Sequence, residues 1–138
     1  MPIREEEDLQ ERYARRYRGE LLDAATAAEL EALGSDYGGN GYTTRAQADR
    51  LLELLSLGRQ DRLLDLGAGC GWPGLYLADR SGCSVVLSDL TVAGMRRGLG
   101  RAEQDGLSGR TAAVVASARH LPFRPENFDA IVHADLLC

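Results

Sequence analysis

The sequence lacks the features of several protein classes. It has 138 residues, a net charge of -5 and no lysine, so all 16 basic residues are arginines. An acidic chain without a basic block is a poor candidate for binding nucleic acid through its phosphates. No apolar run approaches the ~20 residues of a membrane helix, and the charged N-terminus lacks the apolar core of a signal peptide. These absences predict a cytoplasmic protein that binds a small molecule and neither nucleic acid nor a membrane.

Cysteine is scarce and has no ligand-like spacing. The three cysteines, Cys70, Cys83 and Cys138, form no C-x-x-C pair. An odd number of cysteines without a secretory signal indicates reduced thiols, and it argues against a disulfide framework or a zinc site. We therefore predict no metal site and interpret Cys70, which lies in a glycine-rich stretch, as a packing residue.

Glycine, by contrast, is abundant, and four of the sixteen glycines lie within residues 63–74, L-L-D-L-G-A-G-C-G-W-P-G. A short apolar run that ends in Asp65 and continues into glycines predicts a parallel strand, a tight turn and then a helix. Gly67 and Gly69 can adopt positive φ and let the backbone approach a ligand. Gly71 allows close packing of strand and helix. The free N–H groups of the following helix would face a ligand above the turn.

Two classes of ligand fit this turn differently. Gly69, Gly71 and Gly74 satisfy the dinucleotide pattern G-x-G-x-x-G, which is weak evidence in a glycine-rich chain. The carboxylate of Asp65, just before the turn, suits a cationic group better than a pyrophosphate. The order apolar-Asp-Leu-Gly-Ala-Gly-Cys-Gly resembles motif I of the class I S-adenosylmethionine-dependent methyltransferases. A nicotinamide-dependent dehydrogenase, or a glycine turn in another α/β domain, is the alternative.

The remaining pattern predicts helices that alternate with strands. A third helix would be capped by Thr43 or Thr44 and would end at Gly58. The last helix begins near Thr91 and contains glycines that lower its helix propensity. The first two predicted helices lie within 4–33 and are separated by a break near 19–23. The later predicted helices cover 44–58, 73 to about 80, and 91 to about 105. The predicted strands cover 62–66, 84–88, 111–116 and 128–134.

Alternating strands and helices imply right-handed crossovers and a parallel sheet. We predict an α/β fold, a Rossmann-like parallel sheet preceded by N-terminal helices. The family resemblance implies the strand order 3-2-1-4, with the ligand above the carboxyl ends. Residues 1–43 would form an N-terminal helical cap or lid, in which the glycine-rich loop 34–43 is either a lid or a plain linker. Residues 44–138 would form the cofactor-binding core.

The family's full sheet has more strands than the four that this sequence supplies. We therefore expect an incomplete methyltransferase domain, cut after strand four. The alternative is a natural short form in which a partner chain covers the apolar edge of strand four.

The resemblance assigns the cofactor, S-adenosyl-L-methionine, to two neighbouring strand ends. Asp65 would receive the amino group of the methionine moiety, directly or through water. Asp89 would accept both ribose hydroxyls, because the lone pairs of a fixed carboxylate suit a cis-diol, and Leu90 would cover the adenine ring. The turn residues that would line the cofactor are Gly67, Ala68, Gly69 and Gly71.

The segment after strand three departs from the family pattern. Where the family often reads Asp-Ala-x-x-Leu-Pro-Phe, residues 117–123 read S-A-R-H-L-P-F. The Ser117 hydroxyl can accept a hydrogen bond from the adenine amino group, but without charge assistance, and the Ala118 N–H could bond to the ring. The departure puts the affinity for adenine in doubt, and not the fold.

Catalytic candidates come from a narrower resemblance to small-amine methyltransferases of the phosphoethanolamine and glycine-betaine-forming types. In those proteins an acid follows strand four, and Asp135 matches it here. His133, near the expected methyl group, and Tyr42 or Tyr37 in the glycine-rich loop are further candidates, although a packed histidine is the alternative. A base is needed where the acceptor is protonated. We predict methyl transfer to a nitrogen or oxygen of a small molecule. The alternatives are a nicotinamide-dependent oxidoreductase and a non-catalytic cofactor-binding fragment.

Overall fold

The computed structural model describes residues 4–18, 23–38, 42–134 and 136. Its centre is a parallel sheet with the strand order β3-β2-β1-β4, as the sequence analysis predicts. The strands are β1 (Arg62–Leu66), β2 (Ser84–Asp89), β3 (Thr111–Val115) and β4 (Ala130–Val132). β4 is shorter at both ends than the predicted run 128–134. Phe128, just before it, packs edge-to-face on Phe123, with ring centroids 5.1 Å apart.

Five helices lie between and before the strands in the part of the chain that the structure describes. They are α1 (Arg4–Tyr17), α2 (Asp23–Leu33), α3 (Arg45–Leu55), α4 (Gly74–Ser81) and α5 (Val92–Gln104). Thr44 caps α3 in a capping box with Gln47. α3 ends at Ser56, with φ at 48°, and not at Gly58, whose N–H is instead bound to the Asp61 carboxylate at 2.7 Å. None of these helices is both long enough and apolar enough to cross a membrane.

The core lies where α4 and α5 cover the sheet. Both helices follow right-handed crossovers in the same direction, which places them on one face, and both contact the strands they connect. Burial of each large apolar side chain there contributes about 1.5–3 kcal/mol. The largest fully buried apolar side chains of the core include Leu63, Leu75, Leu77, Val85 and Leu87.

The N-terminal segment is tied to this core. α1 packs against α5 and buries Glu6 and Tyr17. Glu29 of α2 accepts hydrogen bonds from the Ser35 hydroxyl and from the backbone N–H of Gly38, so the first part of the loop 34–43 is anchored. Residues 39–41 of this loop lie outside the described residues. The division into a cap, 1–43, and a core, 44–138, stays a prediction.

β4 forms one edge of the described sheet. Its hydrogen-bonded neighbour there is β1, and Ile131 is 56% exposed. A partner chain on this edge stays a prediction.

Candidate functional site

The turn after β1 brings bare backbone to the carboxyl edge of the sheet. Gly67, Gly69 and Gly71 have φ values of 72°, 55° and 102°, a region that side chains other than glycine rarely adopt. The N–H groups of Gly67 and Ala68 both bind the Ser88 carbonyl, at 2.8 and 3.0 Å, which fixes the turn to the end of β2. A Cβ on Gly71 would come within 2.5 Å of Leu75, so this glycine serves the close packing of α4, as predicted.

Asp89, the last residue of β2, joins this turn to the next helix. Its Oδ2 accepts the Gly69 N–H at 2.9 Å, and its Oδ1 accepts the N–H and the hydroxyl of Thr91, both at 3.0 Å. Thr91 in turn caps α5 by accepting the Gly94 N–H at 3.1 Å. A carboxylate offers about four acceptor positions, and three are used here. Asp89 therefore keeps about one acceptor position for a ligand, where the family resemblance implies bonds to two ribose hydroxyls.

Asp65 lies beneath the turn and not at its surface. The side chain is 0% exposed, and its Oδ2 accepts the N–H of Gly74, the first residue of α4, at 2.8 Å. Its Oδ1 has no hydrogen-bond partner among the described residues. In this conformation solvent does not reach the carboxylate, whereas the resemblance implied a contact with the ligand, directly or through water. Its role in cofactor binding stays a prediction.

Burial raises the pKa of Asp65 to about 7, and the Asp89 carboxylate adds to the effect, while the Gly74 N–H opposes it. Between the ordinary value of 3.8 and that pKa, the folded protein holds a proton that the unfolded chain has released. The free energy of unfolding should therefore fall as the pH rises through this window. We expect Asp65→Asn, which cannot ionise, to remove most of this loss. Urea unfolding at pH 5 and pH 7.5 measures it.

The matched control for this pH experiment is Asp61→Asn. Asp61 is half-buried and also accepts a backbone N–H, so the change tests the general effect of neutralising a carboxylate. Parallel pH curves for the wild type and Asp65→Asn would contradict the expectation.

The adenine side of the predicted site is in contact with α1. The Ser117 hydroxyl, after β3, donates to Glu6 Oε1 at 2.6 Å, and the Leu90 carbonyl accepts from the Gln10 amide at 2.9 Å. Ala118 is exposed. The sequence analysis missed Glu6 and Gln10 as residues of this site. The predicted helix over this segment gives no information about the surface that the helix meets.

Tyr17 completes this contact at the glycine turn. The side chain is 4% exposed, and its hydroxyl lies 2.8 Å from the position that a Cβ on Gly69 would take. Burial, and then the nearby Asp89 carboxylate, raise the pKa of the Tyr17 hydroxyl. The phenol therefore stays neutral beside the acid.

The catalytic candidates within the described residues lie on different segments of the chain. His133 follows β4 and is exposed, and Tyr42 is 80% exposed. Tyr37 packs elsewhere, with its ring 5.2 Å from Trp72 and 3.9 Å from the Arg101 guanidinium. Asp135 lies outside the described residues. The catalytic roles of Asp135, His133 and Tyr42 stay predictions.

The cysteines behave as packing residues where the structure describes them. Cys70 and Cys83 are free and buried, and burial raises the pKa of the Cys70 thiol to about 11. A thiol with a raised pKa is a poor nucleophile. Cys138 lies outside the described residues.

Comparison with known proteins identifies the family. Residues 63–138, more than half of the chain, match the family model described as "Methyltransferase domain". The chain belongs to this methyltransferase family. The resemblance to class I S-adenosylmethionine-dependent methyltransferases is thereby confirmed, together with the Rossmann-like parallel sheet.

The methyltransferase is similar to enzymes with different acceptors. It is 35% identical over 103 residues to a malonyl-[acyl-carrier protein] O-methyltransferase of Geobacter sulfurreducens, covering 71% of this chain and 37% of that protein. It is 34% identical over 90 residues to a ubiquinone/menaquinone biosynthesis C-methyltransferase of Rhizobium leguminosarum, covering 62% and 35%. The chain thus spans about a third of the length of these relatives.

A solved structure adds the cofactor. An S-adenosylmethionine-dependent methyltransferase of Thiobacillus denitrificans, in complex with S-adenosylhomocysteine, superposes with a TM-score of 0.58 and 26% identity. The match covers 65% of this chain and 36% of that one. The predicted cofactor, S-adenosylmethionine, is confirmed for the family.

Proposed function

We propose that this methyltransferase binds S-adenosylmethionine at the carboxyl ends of β1, β2 and β3 and takes part in transfer of its methyl group to a small molecule. In open α/β sheets, ligands bind outside the carboxyl ends of the strands. The residues that we assign to this site therefore lie on the expected edge.

The observation that carries the proposal is the position of Asp89. Its carboxylate is half-buried and is held by the Gly69 N–H on one side and by Thr91 on the other. A fixed carboxylate with an acceptor position left is suited to bind a sugar hydroxyl. We assign one ribose hydroxyl to that position, and a second would have to replace the hydroxyl of Thr91.

The other residues fit the cofactor by shape and chemistry. Gly67 and Gly69 present backbone without side chains at positive φ, and in this role they let a ligand lie close to the turn. Leu90 and Ala118 would contact the adenine, with Ser117 as hydrogen-bond acceptor. The buried bond from the Gly74 N–H to Oδ2 of Asp65 suits an indirect role, in which Asp65 holds the start of α4 against the turn. Asp65 is then a positioning residue.

When bound, the cofactor supplies a methyl group on a sulfonium, which is already activated for displacement by a nucleophile. The protein then has to orient the acceptor and exclude water. Our candidates for these tasks, His133, Tyr42 and Asp135, still await a test. We keep a nitrogen or oxygen acceptor as our proposal, although relatives of this chain include a C-methyltransferase.

Calorimetric titration tests the cofactor. We expect S-adenosylmethionine and S-adenosylhomocysteine to bind the 138-residue chain with one site each, and NAD to give no saturable heat. The N–H groups of Gly67, Ala68 and Gly69 are already bound within the protein, so the turn offers few donors to a pyrophosphate. Tighter binding of NAD would replace the proposal with an oxidoreductase.

A further inference from the structure

Helix α1 lies across the carboxyl edge of the sheet. Near its start, Glu6 is bound by the Ser117 hydroxyl after β3 at 2.6 Å. One helical turn later, Gln10 binds the carbonyl of Leu90 after β2 at 2.9 Å. Residues four apart lie on one face of a helix, so this face of α1 follows the strand ends in the order β3, β2.

The same face continues to the turn after β1. Tyr17, two helical turns beyond Gln10, rests on Gly69, and its ring also lies 3.1 Å from the position of a Cβ on Gly94. The side chain is 4% exposed, and Glu6, at the other end of the helix, is 9% exposed. α1 therefore covers three successive strand ends with buried side chains.

These three strand ends are those that the proposed function assigns to the cofactor. A lid that closes over a bound ligand contacts the ligand, which holds the lid's side chains away from the strand ends. Here Glu6 bonds directly to Ser117, and the Tyr17 hydroxyl fills the space that a Cβ on Gly69 would take. Resting on the proposed function, we propose that α1 and the cofactor compete for one surface, so that α1 leaves the strand ends when the cofactor binds.

The composition of α1 suits such a displacement. Its 14 residues are R-E-E-E-D-L-Q-E-R-Y-A-R-R-Y, in which charged side chains predominate. A helix of this length is marginal in water without tertiary contacts, so its position depends on the contacts that it makes. Packing against α5, the hydrogen bonds of Glu6 and Gln10 and the burial of Tyr17 hold it in place. A ligand that uses the same groups of the strand ends can replace the contacts made there.

Hydrogen exchange of the wild-type protein tests the proposal without any mutation. We expect S-adenosylhomocysteine to speed the exchange of the α1 amides, residues 4–17, and to slow that of the glycine turn, residues 67–71. The ligand removes the partner surface of α1 and protects the turn. Slower exchange in both segments would mean that α1 closes over the cofactor, and it would overturn the proposal.

Variants of α1 give a second test, in which the loss of side-chain contacts is expected to tighten ligand binding. Glu6→Ala combined with Gln10→Ala removes two hydrogen bonds that hold α1, so S-adenosylhomocysteine should bind about fivefold tighter or more by calorimetry. Asp8→Ala, on an exposed position of the same helix, is the matched control and should leave the Kd unchanged. Exchange of the core amides in β1 and β2 checks that the sheet is intact.

The outcomes separate the two proposals. Weaker or unchanged binding by the double variant, with an intact sheet, would overturn the competition while the proposed function stands. Absence of S-adenosylhomocysteine binding by the wild type and by the double variant would overturn the proposed function, and the competition with it.

Discussion

Asp89→Ala is expected to weaken the binding of S-adenosylhomocysteine by about 10- to 100-fold. A hydrogen bond from a hydroxyl to a charged acceptor contributes about 1.5–3 kcal/mol, and each 1.4 kcal/mol is about tenfold in Kd. The variant also loses the bond that fixes the Gly69 N–H at 2.9 Å, which loosens the turn against which the ligand would lie. Calorimetry at fixed pH and salt gives the ratio of the two Kd values.

Asp61→Ala is the matched control for this loss. Asp61 also accepts a backbone N–H from a glycine, at 2.7 Å. It directly precedes β1, and so lies at the amino ends of the strands, away from the proposed site. The Asp61 variant removes one such bond where the Asp89 variant removes three, so it should lose less thermal stability, and it should keep the wild-type Kd. An equal weakening of binding in both would mean that the effect comes from stability and that Asp89 is not at the ligand.

Ser117→Ala should change the Kd far less than Asp89→Ala. It removes a neutral hydrogen-bond acceptor for adenine, and it also releases Glu6 of α1, so its two effects on binding oppose each other. Equal losses for the Ser117 and Asp89 variants would show that the ribose lies elsewhere.

The sheet was predictable because its signals are local. β1 ends where an apolar run meets an acid and glycines, and the observed Arg62–Leu66 matches the predicted bounds. The glycine turn likewise has the positive φ values that its residues favour. β4 was predicted too long at both ends. At its start Phe128 packs on Phe123, and such a contact between loop residues leaves no periodic signal.

The site was only partly predictable, because side-chain direction depends on tertiary packing. The position of Asp65 at the end of β1 was correct, but whether its carboxylate points to the ligand or to the start of α4 depends on the space left by Gly74. A Cβ there would lie 2.5 Å from the Asp65 carboxylate. The contact of Glu6 with Ser117 joins residues 111 positions apart, and no pattern within either segment indicates it.

The glycines of α5 show the same division between local and tertiary information. Helix propensity alone predicts that Gly94, Gly98 and Gly100 destabilise α5 equally. In the structure, a Cβ on Gly94 would come within 2.7 Å of the Gly69 carbonyl oxygen, and one on Gly98 within 2.8 Å of Leu87, whereas one on Gly100 would meet nothing within 4 Å. The first two glycines therefore let α5 approach the turn and the sheet, and the third has no such role.

Gly94→Ala and Gly100→Ala should thus change stability in opposite directions. Gly94→Ala must push α5 away from backbone atoms of the glycine turn, and we expect a net loss of about 1–3 kcal/mol in the free energy of unfolding. Gly100→Ala should raise the free energy of unfolding by about 0.5–1 kcal/mol, because alanine loses less conformational entropy than glycine when the helix forms. Urea unfolding of both variants measures these changes, and calorimetry should show weaker S-adenosylhomocysteine binding for Gly94→Ala alone. A stabilised Gly94→Ala variant would mean that α5 does not rest on the turn, and the geometry that we assign to Asp89 and Thr91 would lose its support.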